Sequence, residues 1–261
     1  MINTNHLSPD AEALATELES RNDYRVLRRV PKPFPSMPHM GPMPEGRCIA
    51  IVDTETSGLS AENDVIIELA IMLCFDDDGG ELIGHLGPFS WLQDPGSELD
   101  PRISLITGLG AQHLKGQKIN DTFARGLLDR ADLIVAHNSR FDSKFIERRY
   151  PDLAGKAWAC SCSEIDWLKL GFEGRSQPAL LTHLGWFSAA HRAAADVWAL
   201  FWLLQHRQRD PGGGPNRTHL ARLIEAADMP SVIVQAARAP YSKKEMLKTR
   251  GYRWNPDGPF W

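Results

Sequence analysis

Apolar residues fall into short dense blocks separated by polar and glycine-rich breaks. Residues 48–52 and 65–75 are runs of strand length with few polar positions, the pattern of buried strands. The turn "DDDGG" at 76–80 then leads into 82–91, which reads as the next strand of an antiparallel meander. Beyond it the pattern alternates. Residues 120–130 are helical, "ADLIVAH" at 131–137 is a buried strand, 139–149 a helix, and "AWACSCSEID" at 157–166 a short strand. A helix over 178–185 and a long, heavily apolar helix over 190–207 follow. Strands in antiparallel order, then strands alternating with helices, predict an α/β fold with a mixed sheet flanked by helices.

Two breaks divide the chain. "PKPFPSMPHMGPMPEG" at 31–46 is too rich in proline and glycine for a helix or a central strand, and reads as a linker or wrapping segment. Before it, Ser8-Pro9 resembles a helix start, with the helix continuing through Leu18, and "YRVLRRV" offers a short strand. "DPGGGP" at 210–215 is the second break. The expected organisation is an N-terminal helix and proline-rich segment over 1–46, a main domain over 47–209, a linker and helix over 210–230, and a small module over 231–261.

Composition narrows the class. Of 261 residues, 43% are hydrophobic and 24% charged, the balance of a soluble globular protein. No apolar run approaches the ~20 residues that span a bilayer. The first residues lack a basic region followed by an apolar stretch, and four cysteines show no framework spacing, so a cytoplasmic protein with free thiols and no membrane partner is expected. The net charge of −4 is unevenly spread: residues 240–261 carry +3, leaving −7 on the rest.

The first strand ends in a way that calls for chemistry. In "IAIVDTETSGL", Asp53 and Glu55 are two apart and so project from one face, with Thr54 on the other. Like charges that close repel unless a cation lies between them. Asp142 shares a helix face with Phe145 and Ile146, and Asp196 lies among Ala193, Ala199, Leu200 and Leu203, so both sit on stripes that should meet the core. An unpaired buried carboxylate is costly, and neither stripe supplies a lysine or arginine. A divalent ion would satisfy all four acids at once, and oxygen-only ligands select a hard cation, Mg²⁺ or Mn²⁺. His191, five residues before Asp196, is placed to take a proton from an attacking water.

"VDTETSGL", "AHNSRFDSKF" and "HRAAADVWAL" resemble, in this order, the three motifs of the DnaQ-like, DEDDh-type 3′–5′ exonucleases, relatives of the proofreading subunit of bacterial DNA polymerase III. The resemblance spans about residues 45–207. It implies a ribonuclease H-like fold with a mixed five-stranded sheet, here with a small C-terminal αβ extension. It also implies that Asp53, Glu55 and Asp196 bind metal directly, that Asp142 supports the second of two ions, and that His191 is the general base. Two such ions ~3.5–4 Å apart can clamp a scissile phosphate. The function implied is hydrolysis of phosphodiester bonds at nucleic-acid 3′ ends, DNA before RNA, with a replication or repair protein as candidate partner. An RNA 3′-end trimming nuclease and a non-catalytic nucleic-acid-binding module are the rival readings.

Family resemblance also favours substrate contacts from Thr54, Ser57, Gly58 and Leu59: hydrogen bonds from the first two, a close turn at Gly58 and a wedge at Leu59. A plain turn needs Ser-Gly as well. Asn138 is either a helix cap or a contact to the terminal nucleotide. Glu68, an acid inside an apolar strand, is either near the metals or on a wet edge, and is left outside the site. In the tail, "SKKE" at 242–245 reads as a capping box, and "GYRWNPDGPFW" as strand, turn, strand. Its lysines and arginines alternate with aromatics, which either stack on bases of a single strand or form the module's own core.

Overall fold

The computed structural model describes residues 8–33, 44–77, 79–188, 191–230 and 234–254. The chain forms two compact units, residues 1–227 and 228–261. The first unit begins with α1 (Pro9–Glu19), β1 (Arg28–Arg29), β2 (Arg47–Thr56), β3 (Ile66–Asp76) and β4 (Leu82–Leu92). Helices α2 (Pro101–Thr107), α3 (Ala111–Leu114) and α4 (Asp121–Arg130) follow, then β5 (Leu133–Ala136), α5 (Ser139–Arg149) and β6 (Trp158–Cys160). The remainder is α6 (Gln177–His183), β7 (Trp186–Phe187), α7 (Ala193–Gln205), β8 (Arg207–Arg209), β9 (Asn216–Thr218) and α8 (His219–Asp228).

The main sheet has five strands in the order β4-β3-β2-β5-β6. β4, β3 and β2 pair antiparallel, whereas β2, β5 and β6 run parallel, which is the mixed sheet the sequence pattern predicts. Side-chain alternation sorts β2, β3 and β5 onto two cores. Ile49, Ile51, Ala70, Met72, Leu133 and Val135 pack with residues of α6, α7 and α8. Ala50, Val52, Leu69, Ile71, Leu73 and Ile134 pack with residues of α4 and α5. Every residue of β3 is buried, so its near-continuous apolar run is the expected mark of a strand covered on both faces. Helix α7 buries nine residues, among them Trp198, Phe201 and Trp202, and lies against β2, β3 and β4. Burial of one such large side chain contributes about 1.5–3 kcal/mol, so this helix is fixed firmly to the sheet.

Some sequence expectations are changed. β2 does not stop before the acids but continues through Thr56, with a register irregularity between Glu55 and Thr56. "DPGGGP" is no linker: it forms the turn between β8 and β9, an antiparallel hairpin, and α8 then packs Leu220 and Leu223 into the core under α7. The N-terminal region is integral to this unit. β1 pairs in parallel with β7, Arg25 donates to the carbonyls of Thr182 and His183 at the end of α6, and the Trp198 indole donates to Pro31 O at 2.7 Å. Most of the proline-rich segment, 34–43, lies outside the described residues.

In the second unit, a 3-10 turn at Tyr241–Lys243 leads into α9 (Lys244–Thr249). The expected capping box is not formed, since no side chain caps α9. The helix ends before Gly251, which is left-handed, and the amides of Gly251 and Tyr252 donate to the carbonyls of Lys248 and Leu247. The strand, turn and strand expected over 251–261 fall mostly outside the described residues. Among those described in this unit, no strand is present.

Candidate active site

The C-terminal end of β2 carries Asp53 and Glu55, and the N-terminal turn of α7 carries Asp196. One oxygen from each of these three carboxylates lies within 4.8 Å of the others. Residues distant in the sequence are brought together because α7, with Asp196 in its first turn, packs against β2 and β3. β5, parallel to β2, ends at Ala136 and hands the chain to α5, whose first turn places Asp142 behind the cluster. Asp142 is only 3% exposed, and its Oδ1 accepts both the Thr54 amide (3.0 Å) and the Thr54 hydroxyl (2.7 Å).

The electrostatics of the cluster are those of a site that asks for a cation. Burial, and then the charges of Asp142, Asp196, Glu55 and Glu68, push Asp53 well above the ordinary carboxylate range. Burial raises Glu55 to about 7, helped by Asp196, Glu68 and Asp142 and opposed by Arg192. Asp142 rises to about 7 through burial, against the hydrogen bonds from Thr54. Asp196 rises to about 6, again through burial, against the His191 amide that donates to its Oδ2 at 2.8 Å. Among the described residues, no lysine or arginine forms an ion pair with Asp53, Glu55 or Asp196. Oxygen donors alone, converging without an ion-paired lysine or arginine, fit a hard divalent ion.

The acid left outside the site by sequence reasoning belongs beside it. Glu68 is directly opposite Glu55 in the β2–β3 register and is 0% exposed. Its carboxylate accepts from Arg192 Nε at 3.0 Å and Nη2 at 3.3 Å, from Ser90 Oγ at 3.2 Å, and from the Ala193 amide at 3.4 Å. Glu68 and Asp196 thus hold the chain at residues 191–193 from two sides. Between these anchors His191 takes a left-handed backbone conformation (φ 65°) and an exposed position. A non-glycine residue held there is strained by about 1–3 kcal/mol, which the two anchors offset. The signal for Glu68 was present in the sequence: it has the same strand parity as the apolar residues around it, so it had to be buried.

The expected substrate contacts separate into two groups. Thr54 alternates with Asp53 and Glu55 along β2, and both its donors are committed to Asp142, so it positions that carboxylate instead of presenting its hydroxyl to a nucleotide. Ser57 Oγ donates to Asp64 Oδ1 (3.2 Å) and accepts from the Val65 amide (3.0 Å), so it builds the turn. At Gly58 a β-carbon would fall into the Asp64 carboxylate, which itself accepts from the Ser60 amide at 2.8 Å. Asp64, which sequence reasoning missed, therefore organises this loop. Leu59, by contrast, is 85% exposed. It lines a groove with Glu62, Asn138, Phe141, Lys144 and Arg148. Asn138 precedes α5 in a left-handed conformation and its side chain makes no capping hydrogen bond, so the side-chain capping alternative fails, and the residue lines this groove. Arg148 ties the far wall by donating to the carbonyls of Ala61 and Asp64.

A family model described as an exonuclease, RNase_T, matches residues 50–203, more than half of the chain and all of the acids above. The chain belongs to the RNase_T exonuclease family. This is the DnaQ-like group that the three motifs resemble. A PolC-type DNA polymerase III of Streptococcus pyogenes is 32% identical over 102 residues, covering 38% of this chain and 7% of that relative. Zinc-bound Escherichia coli exonuclease I in complex with single-stranded DNA shares the fold at a TM-score of 0.50 and 18% identity, over 62% of this chain and 40% of that one. Exonuclease I with a dT13 oligonucleotide gives a TM-score of 0.50 at 20% identity, over 61% and 40%. The sheet order and its flanking helices are those of this ribonuclease H-like exonuclease fold. The chain matches less than half the length of each of these proteins. Among the described residues no helix is long and apolar enough to cross a membrane.

Proposed function

We propose that this exonuclease domain hydrolyses nucleotides from 3′ ends of single-stranded or frayed DNA, using two Mg²⁺ or Mn²⁺ ions. The observation that carries the reading is the convergence of Asp53, Glu55 and Asp196, with no lysine or arginine ion-paired to any of them among the described residues, within a family of exonucleases. Asp53, Glu55 and Asp196 would hold the ions, with Asp142 completing the set from its buried position. When bound, the ions neutralise the phosphate and stabilise charge on the attacking and leaving oxygens.

The chain's own groups supply the rest. His191, exposed beside Asp196, accepts the proton of the attacking water, a role suited to an imidazole nitrogen. Asp142, fixed by Thr54, keeps β2 and α5 in register at the site. Leu59 and Asn138 meet the terminal nucleotide along the groove, where Lys144 and Arg148 add positive charge for the backbone. DNA is favoured over RNA because the solved exonuclease I complexes contain single-stranded DNA and the PolC-type relative is a DNA polymerase. That relative also supports a replication or repair protein as partner.

The test is release of mononucleotides from a 3′-labelled single strand, with Mg²⁺, Mn²⁺ or EDTA, on matched DNA and RNA. Wild type should release label from DNA only with the metals. Asp53→Asn should lower kcat by about 10³-fold, the several kcal/mol expected when a metal-held charge is removed. Binding without turnover in wild type would instead support the non-catalytic reading, and faster RNA turnover the RNA-trimming one.

A further inference from the structure

The C-terminal unit carries chemistry that the active site does not use. Residues 234–254 hold six cations, Arg238, Lys243, Lys244, Lys248, Arg250 and Arg253, against Glu245 alone, within a chain of net charge −4. An acidic protein that concentrates cations in one short unit has a surface for an anionic partner.

The aromatic residues decide what kind of anion. If this unit used them for its own core, they would be buried. Among its described residues only Leu247 is a buried hydrophobic residue, whereas Tyr241 is 79% and Trp254 49% exposed. Tyr241, Lys244, Lys248, Tyr252, Arg253 and Trp254 line one concave surface. Lys244 Nζ lies 5.2 Å from the Tyr241 ring centroid, so cation and ring share one side of this surface. The backbone supports the arrangement. The glycine turn that ends α9 returns the chain so that Tyr252, Arg253 and Trp254 line the same concavity as Lys244 and Lys248. A free phosphate needs no exposed rings, and a membrane surface calls for an apolar helical face, which α9 lacks with Lys244, Glu245, Lys248 and Thr249 on its short length. Cations interleaved with flat, exposed rings match a strand that offers phosphates and unpaired bases together.

We propose that residues 241–254 form a second nucleic-acid site, which grips a single strand without sequence preference by base stacking on Tyr241 and Trp254 and by phosphate contacts to Lys244, Lys248 and Arg253. The identity of the strand as substrate rests on the exonuclease reading above, but the grip itself does not require turnover.

The test uses the full chain with Asp53→Asn, in EDTA, and fluorescence anisotropy of a 5′-labelled 20-nucleotide strand across a salt series. Tyr241→Ala should weaken binding about tenfold, within the range for loss of one stacked base. Lys244→Ala with Lys248→Ala should flatten the slope of log K against log salt by about 0.7 for each phosphate that is no longer neutralised. In the catalytically intact chain the same variants should raise KM on the 20-mer and leave turnover of a trinucleotide unchanged, which also reports that the main unit is folded. Unchanged affinity and slope in every variant would overturn the proposal, as would wild type binding phosphatidylserine vesicles in preference to the strand. Loss of nuclease activity in wild type with variant-sensitive strand binding retained would remove the exonuclease reading and leave the grip standing.

Discussion

Glu68 shows how a single residue fixes the geometry of the candidate site. Its buried carboxylate lies opposite Glu55 across the strands, and among the described residues only Arg192 forms an ion pair with it. Arg192 is 50% exposed, so solvent reduces the value of the pair, yet removing the guanidinium leaves an anion without its cation inside the sheet. Arg192→Ala should therefore lower stability by about 1–3 kcal/mol in urea unfolding, the range for charge-assisted hydrogen bonds to a buried group. It should also reduce kcat, because the 191–193 turn loses one anchor. Arg192→Lys should restore part of both. Unchanged stability and kcat in Arg192→Ala would remove Glu68 from the account of how His191 is presented.

The elements explain why acids separated by 143 residues meet. β2 delivers two of them at its end, α7 is held against that end by its apolar faces, and α5 begins where the neighbouring parallel strand stops. The loop after β2 is the adjustable part. Gly58→Ala should displace Asp64 and cost about 1–2 kcal/mol through the hydrogen bonds from Ser57 and Ser60. On a 3′-labelled strand it should raise KM more than it lowers kcat, and an equal fall in both would show that the loop acts on the acids instead. Much of this level was legible in the sequence. Apolar blocks marked the strands of the sheet, strand parity put Asp53 and Glu55 on one common face, and helix stripes placed Asp142 and Asp196 on core-facing sides. The loop roles were not legible, because Ser57 and Gly58 look the same whether they serve a nucleotide or Asp64. Thr54 likewise gives no sign in the sequence that both its donors go to one carboxylate 88 positions away. The "DPGGGP" turn read as a linker because glycine and proline mark a hairpin turn and a domain break equally well.

At the scale of the whole molecule, the acidic cluster is a liability that folding must carry. Glu55 and Asp142 are raised to about 7 and Asp196 to about 6, all above their unfolded values near 4. A carboxylate with a raised folded pKa favours the folded state fully below pH 4, and that contribution is lost as pH rises from about 4 to 7. The metal-free protein should therefore lose thermal stability across this window. Divalent metal binds the ionised cluster, so it should restore stability most above pH 7. Metal at about 100 times its Kd adds about 2.7 kcal/mol, or roughly 5–10 °C in Tm for a chain of this size. Scanning calorimetry at pH 5 and pH 8, with EDTA or Mg²⁺, should give a much larger metal-induced rise at pH 8. Equal rises at both values would mean that the ion binds groups other than these acids.

Direct titration of metal into the protein tests the convergence of acids most simply. Isothermal calorimetry with Mn²⁺ at pH 8 should show saturable binding to wild type, and release of protons when repeated near pH 6.5 in buffers of different ionisation heat. Asp53→Asn and Asp196→Asn should each abolish or strongly weaken that binding while the far-ultraviolet circular dichroism stays that of wild type. Mn²⁺ binding of wild-type strength in both folded variants would contradict the account, because the carboxylates would then share a place in the fold without sharing an ion.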